Sequence, residues 1–153
     1  MLQMLKAKIH KACVTRADVE YEGSFGMDAS IMRQVGILNF EAVEIYNISN
    51  GARIKTYAIP LPAGSRRFES NGAAAHLIKE GDIVIVANYS LLSETELPAF
   101  RGPQIALMDP QSNKLKRLYQ PDWRKADGSK ALEDFDILHD GKHNTLALDP
   151  TWI

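Results

Sequence analysis

Gly23-Ser24 is a bond whose two residues could react with each other. The Gly23 carbonyl has no side chain beside it, so the next hydroxyl can approach closely, and Gly23 and Gly26 around Ser24 permit backbone angles that other residues resist. Attack of Ser24 Oγ on that carbonyl turns the amide into an ester. Elimination then leaves a dehydroalanine end, and hydrolysis gives a pyruvoyl group at position 24. Gly-Ser is also a common turn dipeptide, so the surrounding residues must decide between the two.

Several surrounding segments have readable periodicity. Leu5, Ala7 and Ile9 alternate with Lys6, Lys8 and His10, which predicts a half-buried strand with Lys8 and His10 on one face. Asp18 to Glu22 reads as a turn into the Gly-Ser bond. Asp28 is a good N-cap for a short helix with Ile31, Met32 and Val35 on one side and Gly36 as its stop. Glu41 to Ile48 and Arg53 to Ile59 alternate around Asn50-Gly51, which predicts a hairpin with a type I′ turn. On the returning strand Arg53, Lys55, Tyr57 and Ile59 share a face, opposite Ile54, Thr56 and Ala58.

Pro60 to Arg67 reads as a loop, with Arg66 and Arg67 solvated or at an interface. The small residues Gly72, Ala73, Ala74 and Ala75 between Asn71 and His76 either start a helix ending near Gly81 or let backbone approach a ligand. In the helical case His76 packs as a helix residue. Ile83 to Val86 and Pro103 to Met108 supply further strands. Val43 and Ile45 recur in spacing as Ile83 and Ile85, a faint internal repeat. Six or seven strands with two short helices make a mainly β chain, best closed as a small barrel.

Composition bounds the function. With 153 residues, 45% hydrophobic and 24% charged, the chain fits a globular domain, and a net charge of −1 argues against general nucleic-acid binding. The single Cys13 is expected to be buried as a small apolar residue in a reducing compartment. Met1 to Ala12 lacks the apolar run of a signal peptide and no stretch is long enough for a membrane span, so a cytoplasmic protein is expected. Beyond Asp109 the composition turns polar, yet Trp123 and Trp152 lie there, so residues 109–153 are expected to pack on the body or on a neighbouring subunit. Asp140-Gly141 reads as a turn. Asp136, His139, Asp140 and His143 have no required ligand spacing, and no metal is expected.

Lys8-Ile9-His10, Ala17-Asp18, Tyr21-Glu22-Gly23-Ser24, Asn50-Gly51-Ala52-Arg53, Thr56-Tyr57-Ala58-Ile59 and Asn71-Gly72-Ala73-Ala74-Ala75-His76 follow one another in an order that resembles the pyruvoyl-dependent aspartate 1-decarboxylases. The resemblance covers residues 1–108. It implies a double-psi β-barrel domain over that range, a homotetramer, and self-processing between Gly23 and Ser24. The Ser24-derived pyruvoyl group would be the only cofactor, without metal, and would serve as electron sink for converting L-aspartate to β-alanine and carbon dioxide, a precursor supply for pantothenate and coenzyme A.

By the same resemblance Tyr57 is the proton donor in turnover and Thr56 the oxyanion donor in processing at Gly23 and Ser24. Lys8 and Arg53 anchor the substrate, with Asn71, Gly72, Ala73 and Ala74 forming a pocket wall, and His10, Tyr21 and Tyr46 lining the site. No nucleic acid or membrane partner is implied; a processing or regulatory protein is left open. Phe25 is larger than the residue usual after the serine in that family, and residues from Asp109 onward match no shared motif. An uncleaved barrel module that holds a small acid in the Lys8 and Arg53 pocket is the alternative.

Overall fold

The computed structural model describes residues 1–125. It is mainly β: β1 (Leu2–Cys13), β2 (Arg16–Asp18), β3 (Ser24–Asp28), β4 (Ala42–Asn47), β5 (Arg53–Leu61), β6 (Phe68–Asn71), β7 (Ile83–Leu92), β8 (Gln104–Met108) and β9 (Leu115–Tyr119), with one helix, α1 (Ala29–Val35). Short 3-10 helices span Gly72–His76, Leu97–Ala99 and Trp123–Lys125. The strands form one sheet in the order β2-β6-β3-β5-β4-β7-β1-β8-β9. The sheet does not close edge to edge and is consistent with a β-barrel with short helices. Its pairings are mixed: β1/β8, β2/β6 and β3/β5 run parallel, the remainder antiparallel.

Nine strands form where six or seven are expected. β6 escapes the sequence pattern because all four of its residues are buried although three are polar, and β2 is only three residues long. β9 brings the basic segment after Asp109 into the sheet beside β8, with Leu118 fully buried. Trp123 donates its indole N–H to the Phe100 carbonyl. Trp152, Asp140-Gly141 and the His139 and His143 group lie outside the described residues.

Ile9, Phe25, Met27, Ile45, Phe68, Ile78, Met108 and Leu118 are the largest fully buried side chains of the core. Each contributes ~1.5–3 kcal/mol by leaving water. The alternation in β1 is broken twice, where the register slips between Leu5 and Ala7 and between His10 and Ala12. Lys11 takes a left-handed φ of 64° at the second slip, which turns Ala12 into the core. Cys13 is therefore only half-buried, and Leu5 leaves the face of Ala7 and Ile9.

Asn50-Gly51 makes a longer connection than a type I′ turn. Gly51 has φ 79° while Asn50 is not among the residues with positive φ, and Gly51 N–H bonds to the Asn47 carbonyl at 2.7 Å. Asn50 is instead spent on side-chain bonds, accepting from Ala52 N–H and donating to the Leu77 carbonyl. β5 runs on through Pro60 to Leu61, beyond the expected strand end. The repeat is offset by one residue: Ile45 pairs with Val86, and Val84 and Val86, rather than Ile83 and Ile85, are the buried pair. His76 is exposed at the end of a 3-10 helix instead of packed in a longer one.

Asp28 caps α1 as expected, accepting from Ser30 N–H, and Gly36 ends the helix at φ 75°. The same buried carboxylate accepts from Ser30 Oγ, Gly64 N–H and Arg66 N–H, which ties the loop after β5 to the end of β3. Burial works against its charge, but these hydrogen bonds outweigh it and hold the carboxyl below the ordinary aspartate range.

Candidate active site

Ser24 begins β3, and antiparallel pairing sets it opposite Asn71 on β6. Asn71 Nδ2 donates to Ser24 Oγ at 3.0 Å, and both residues are 2% exposed. The serine hydroxyl donates in turn to the Glu22 carbonyl at 3.4 Å, a long bond that holds the rotor weakly. Phe25 points the opposite way into the core, where it is fully buried opposite Ala58 and Ser70. The core rather than the space beside Ser24 Oγ absorbs its bulk.

Gly72 presses against Gly23. A Cβ there would stand 2.7 Å from Gly23 Cα, 2.9 Å from Gly23 N and 3.1 Å from the Tyr21 carbonyl oxygen, and φ is 65°. Only glycine fits this approach. The Asn71-to-Ala75 segment thus begins with a backbone approach and continues as one short 3-10 helix, with Ala73 exposed and Ala74 half-buried. Tyr21 is more than half exposed.

β5 lies along the other edge of β3. Parallel pairing matches Phe25 with Ala58, so Tyr57 and Ser24 each lie one residue before the first paired residues of the two strands. Tyr57 faces outward with Arg53 and Lys55, while Thr56 faces the buried Val43 across β4, so the pair points to opposite sides as the alternation requires. Phe40, held at φ 64° by its N–H bond to the Ala58 carbonyl, sets its ring 6.0 Å from that of Tyr57.

Lys8, His10, Tyr46 and Arg53 share the outer face through strand register. One row runs Lys8, Ala87, Glu44, Lys55 across β1, β7, β4 and β5; the next row of that face runs His10, Ile85, Tyr46, Arg53. Burial pushes the Lys8 ammonium below its ordinary pKa. Neither Lys8 nor Arg53 has a carboxylate partner among the described residues. The Arg53 guanidinium instead lies 4.2 Å over the Tyr46 ring. Tyr46 hydroxyl donates to Glu44 Oε2 at 2.7 Å and bonds to Tyr89 Oη at 2.9 Å. Burial, then Tyr89 and Glu44, raise the phenol's pKa, so it stays a donor. Glu44 and Tyr89 do not stand out in the sequence; the period-two spacing of Glu44 with Tyr46 was the available signal.

The described part of the chain therefore holds two groups. Ser24, Asn71 and Gly72 gather around Gly23, with Tyr57 on the neighbouring strand β5, whereas Lys8 stands three strand steps from β5, about 14 Å across the sheet. No group of three or more His, Cys, Asp or Glu able to hold a metal occurs among the described residues. No helix there is long and apolar enough to cross a membrane.

The sequence profile described as Aspartate decarboxylase matches residues 1–116, the range that holds Ser24, Asn71 and Gly72. The chain belongs to the aspartate decarboxylase family. Among curated relatives, the aspartate 1-decarboxylase of Alkalilimnicola ehrlichii is 52% identical over 96 residues, 63% of this chain and 76% of that one. That of Syntrophobacter fumaroxidans is 45% identical over 114 residues, 74% and 91% of the two chains. The Caulobacter vibrioides enzyme is 44% identical over 117 residues, 76% of this chain and 98% of its own length. The match extends past Asp109 and into β9, whose start at Leu115 the family profile includes.

Proposed function

We propose that this chain decarboxylates L-aspartate to β-alanine after cutting itself between Gly23 and Ser24. The observation that carries this reading is the buried Asn71–Ser24 hydrogen bond against the Gly72–Gly23 contact. Both hold a nucleophile next to a carbonyl that has no side chain. In processing, the Ser24 Oγ to Gly23 carbon bond forms as the Gly23–Ser24 amide breaks, Thr56 steadies the oxygen charge, and elimination followed by hydrolysis releases ammonia. The residues fit the group that results: Asn71 donates into its position from β6, and β5, which carries the outward-facing Tyr57, runs along the other edge of β3. A pyruvoyl group there supplies an electrophilic carbonyl and an electron sink for loss of carbon dioxide.

The remaining chemistry belongs to the side chains. Arg53 offers a two-pronged donor to one carboxylate and Lys8 a point charge to the other. Lys8 is already partly stripped of water, so an incoming anion restores favourable interactions to it. Tyr57 holds a proton at Oη for the carbon that loses its carboxylate. Small side chains at Gly72, Ala73 and Ala74 leave room, and His10, Tyr21 and Tyr46 line the approach. The separation of Lys8 from Ser24 across the sheet supports an oligomer, a tetramer by family resemblance, in which the cationic face of one copy covers Ser24 of another. A cytoplasmic role supplying β-alanine for pantothenate synthesis fits this reading.

Purified protein incubated to completion is expected to give fragments 1–23 and 24–153 in denaturing mass spectrometry, the second without a free amino end, and to release carbon dioxide from aspartate. A chain that stays intact, with no release, would sink the proposal. Gly72→Ala tests the carrying contact separately. Its Cβ must displace Gly23 from 2.7 Å and adopt φ 65°, so fragment formation is expected to slow at least about tenfold. Cleavage at the parent rate would show that the contact is dispensable.

A further inference from the structure

Arg53 sits on the same outward face as a carboxylate that could neutralise it. Glu44 is the diagonal cross-strand neighbour of Arg53, since Glu44 pairs with Lys55 and Tyr46 with Arg53. Such neighbours lie ~7–8 Å apart at Cα, within reach of two long side chains. Yet Glu44 forms no ion pair among the described residues. Its Oε2 is taken by the Tyr46 hydroxyl at 2.7 Å, and Tyr89 Oη, at 2.9 Å from the same oxygen of Tyr46, leaves that hydroxyl little freedom to turn away. Ala87 stands between Glu44 and Lys8 in the row, and its small side chain leaves space for Tyr89 to lean toward Tyr46 from two residues further along β7.

We propose that Tyr46 is a positioning residue that keeps Arg53 available to a dicarboxylate by two contacts at once: its ring carries the guanidinium face, and its hydroxyl detains the Glu44 carboxylate. The two halves act on different parts of the arginine. A planar cation stacked on a ring keeps its N–H edge free for bidentate binding, whereas a carboxylate on that edge would compete with substrate. Glu44 is thus stored rather than absent, and its negative charge is held where it bonds a phenol and not the anchor. This rests on Arg53 being a substrate anchor.

The processed enzyme and its variants are compared by the KM for aspartate and, independently of turnover, by calorimetric Kd for succinate, which has both carboxylates but no amine to react. Tyr46→Phe keeps the ring and frees Glu44, so both constants are expected to rise about two- to fivefold, the strength of an exposed ion pair. Adding Glu44→Gln to that variant removes the competitor and restores both constants. Tyr46→Leu also removes the stacking surface, and Glu44→Gln should rescue it only in part. Equal succinate affinity of Tyr46→Phe and parent, or failure of Glu44→Gln to rescue it, overturns the proposal. Arg53→Gln separates the two levels: if it leaves succinate affinity unchanged, the anchor itself is misassigned, whereas if it weakens affinity while Tyr46→Phe does not, only the role of Tyr46 falls.

Discussion

Replacing Ser24 by alanine is expected to leave a single uncut chain with no measurable release of carbon dioxide from aspartate. In the proposed processing, alanine removes the atom that attacks the Gly23 carbonyl and from which the electrophile would be made, so no partial activity is expected. The fold should tolerate the change. Ser24 is held in β3 by backbone pairing to β6, and the lost hydroxyl strands one buried donor, Asn71 Nδ2, at ~1–3 kcal/mol. That is a fraction of a domain's ~5–15 kcal/mol. Denaturing mass spectrometry reads the uncut chain and circular dichroism the retained fold. A folded Ser24→Ala protein that releases carbon dioxide would refute a Ser24-derived electron sink.

Tyr57→Phe is expected to behave in the opposite manner, cutting at the parental rate but turning over about 10²–10⁴-fold more slowly, the worth of a positioned general acid. Phenylalanine retains the ring that meets Phe40 at 6.0 Å and alters nothing in the core, because Tyr57 is on the outward face and 38% exposed. The expected split is informative because Thr56, assigned to processing, faces the other side of β5. Fragment formation followed by mass spectrometry and steady-state carbon dioxide release measure the two halves. If kcat is unaffected, the proton comes from elsewhere; if cleavage fails too, the division of labour between adjacent residues is wrong.

Much of the local structure was legible because it rests on short-range chemistry. Asp28 and Gly36 bound α1 where a capping carboxylate and a left-handed glycine belong. The two faces of β5 follow from strict alternation. Where local rules were insufficient, a longer-range contact had prevailed. Lys11 enters the left-handed region and sends Ala12 inward in place of Cys13, because the pairing of β1 with β7 slips there. Asn50 forgoes a tight turn for a bond to the Leu77 carbonyl. β6 buries Glu69, Ser70 and Asn71, which no hydrophobic pattern would mark; its two flanking strands, β2 and β3, and the Arg67–Glu69 ion pair account for its place.

The sequence by itself offered candidate groups, a serine hydroxyl after a glycine carbonyl and a phenol and a threonine on opposite faces of one strand, while the family resemblance supplied the roles expected of them and of Lys8 and Arg53. Residue type and period-two spacing carry the facing of such groups, since they act within a few residues. Only the tertiary structure decided which groups meet. Pairing of β3 with β6 brings Asn71 to Ser24 across 47 positions of sequence, and the left-handed Gly72 is placed against Gly23 by the same register. Pairing of β4 with both β5 and β7 likewise sets Arg53, Tyr46, Glu44 and Tyr89 in one contact chain. Such encounters depend on strand order and bulges, which are set by how the whole core closes rather than by any neighbouring residue.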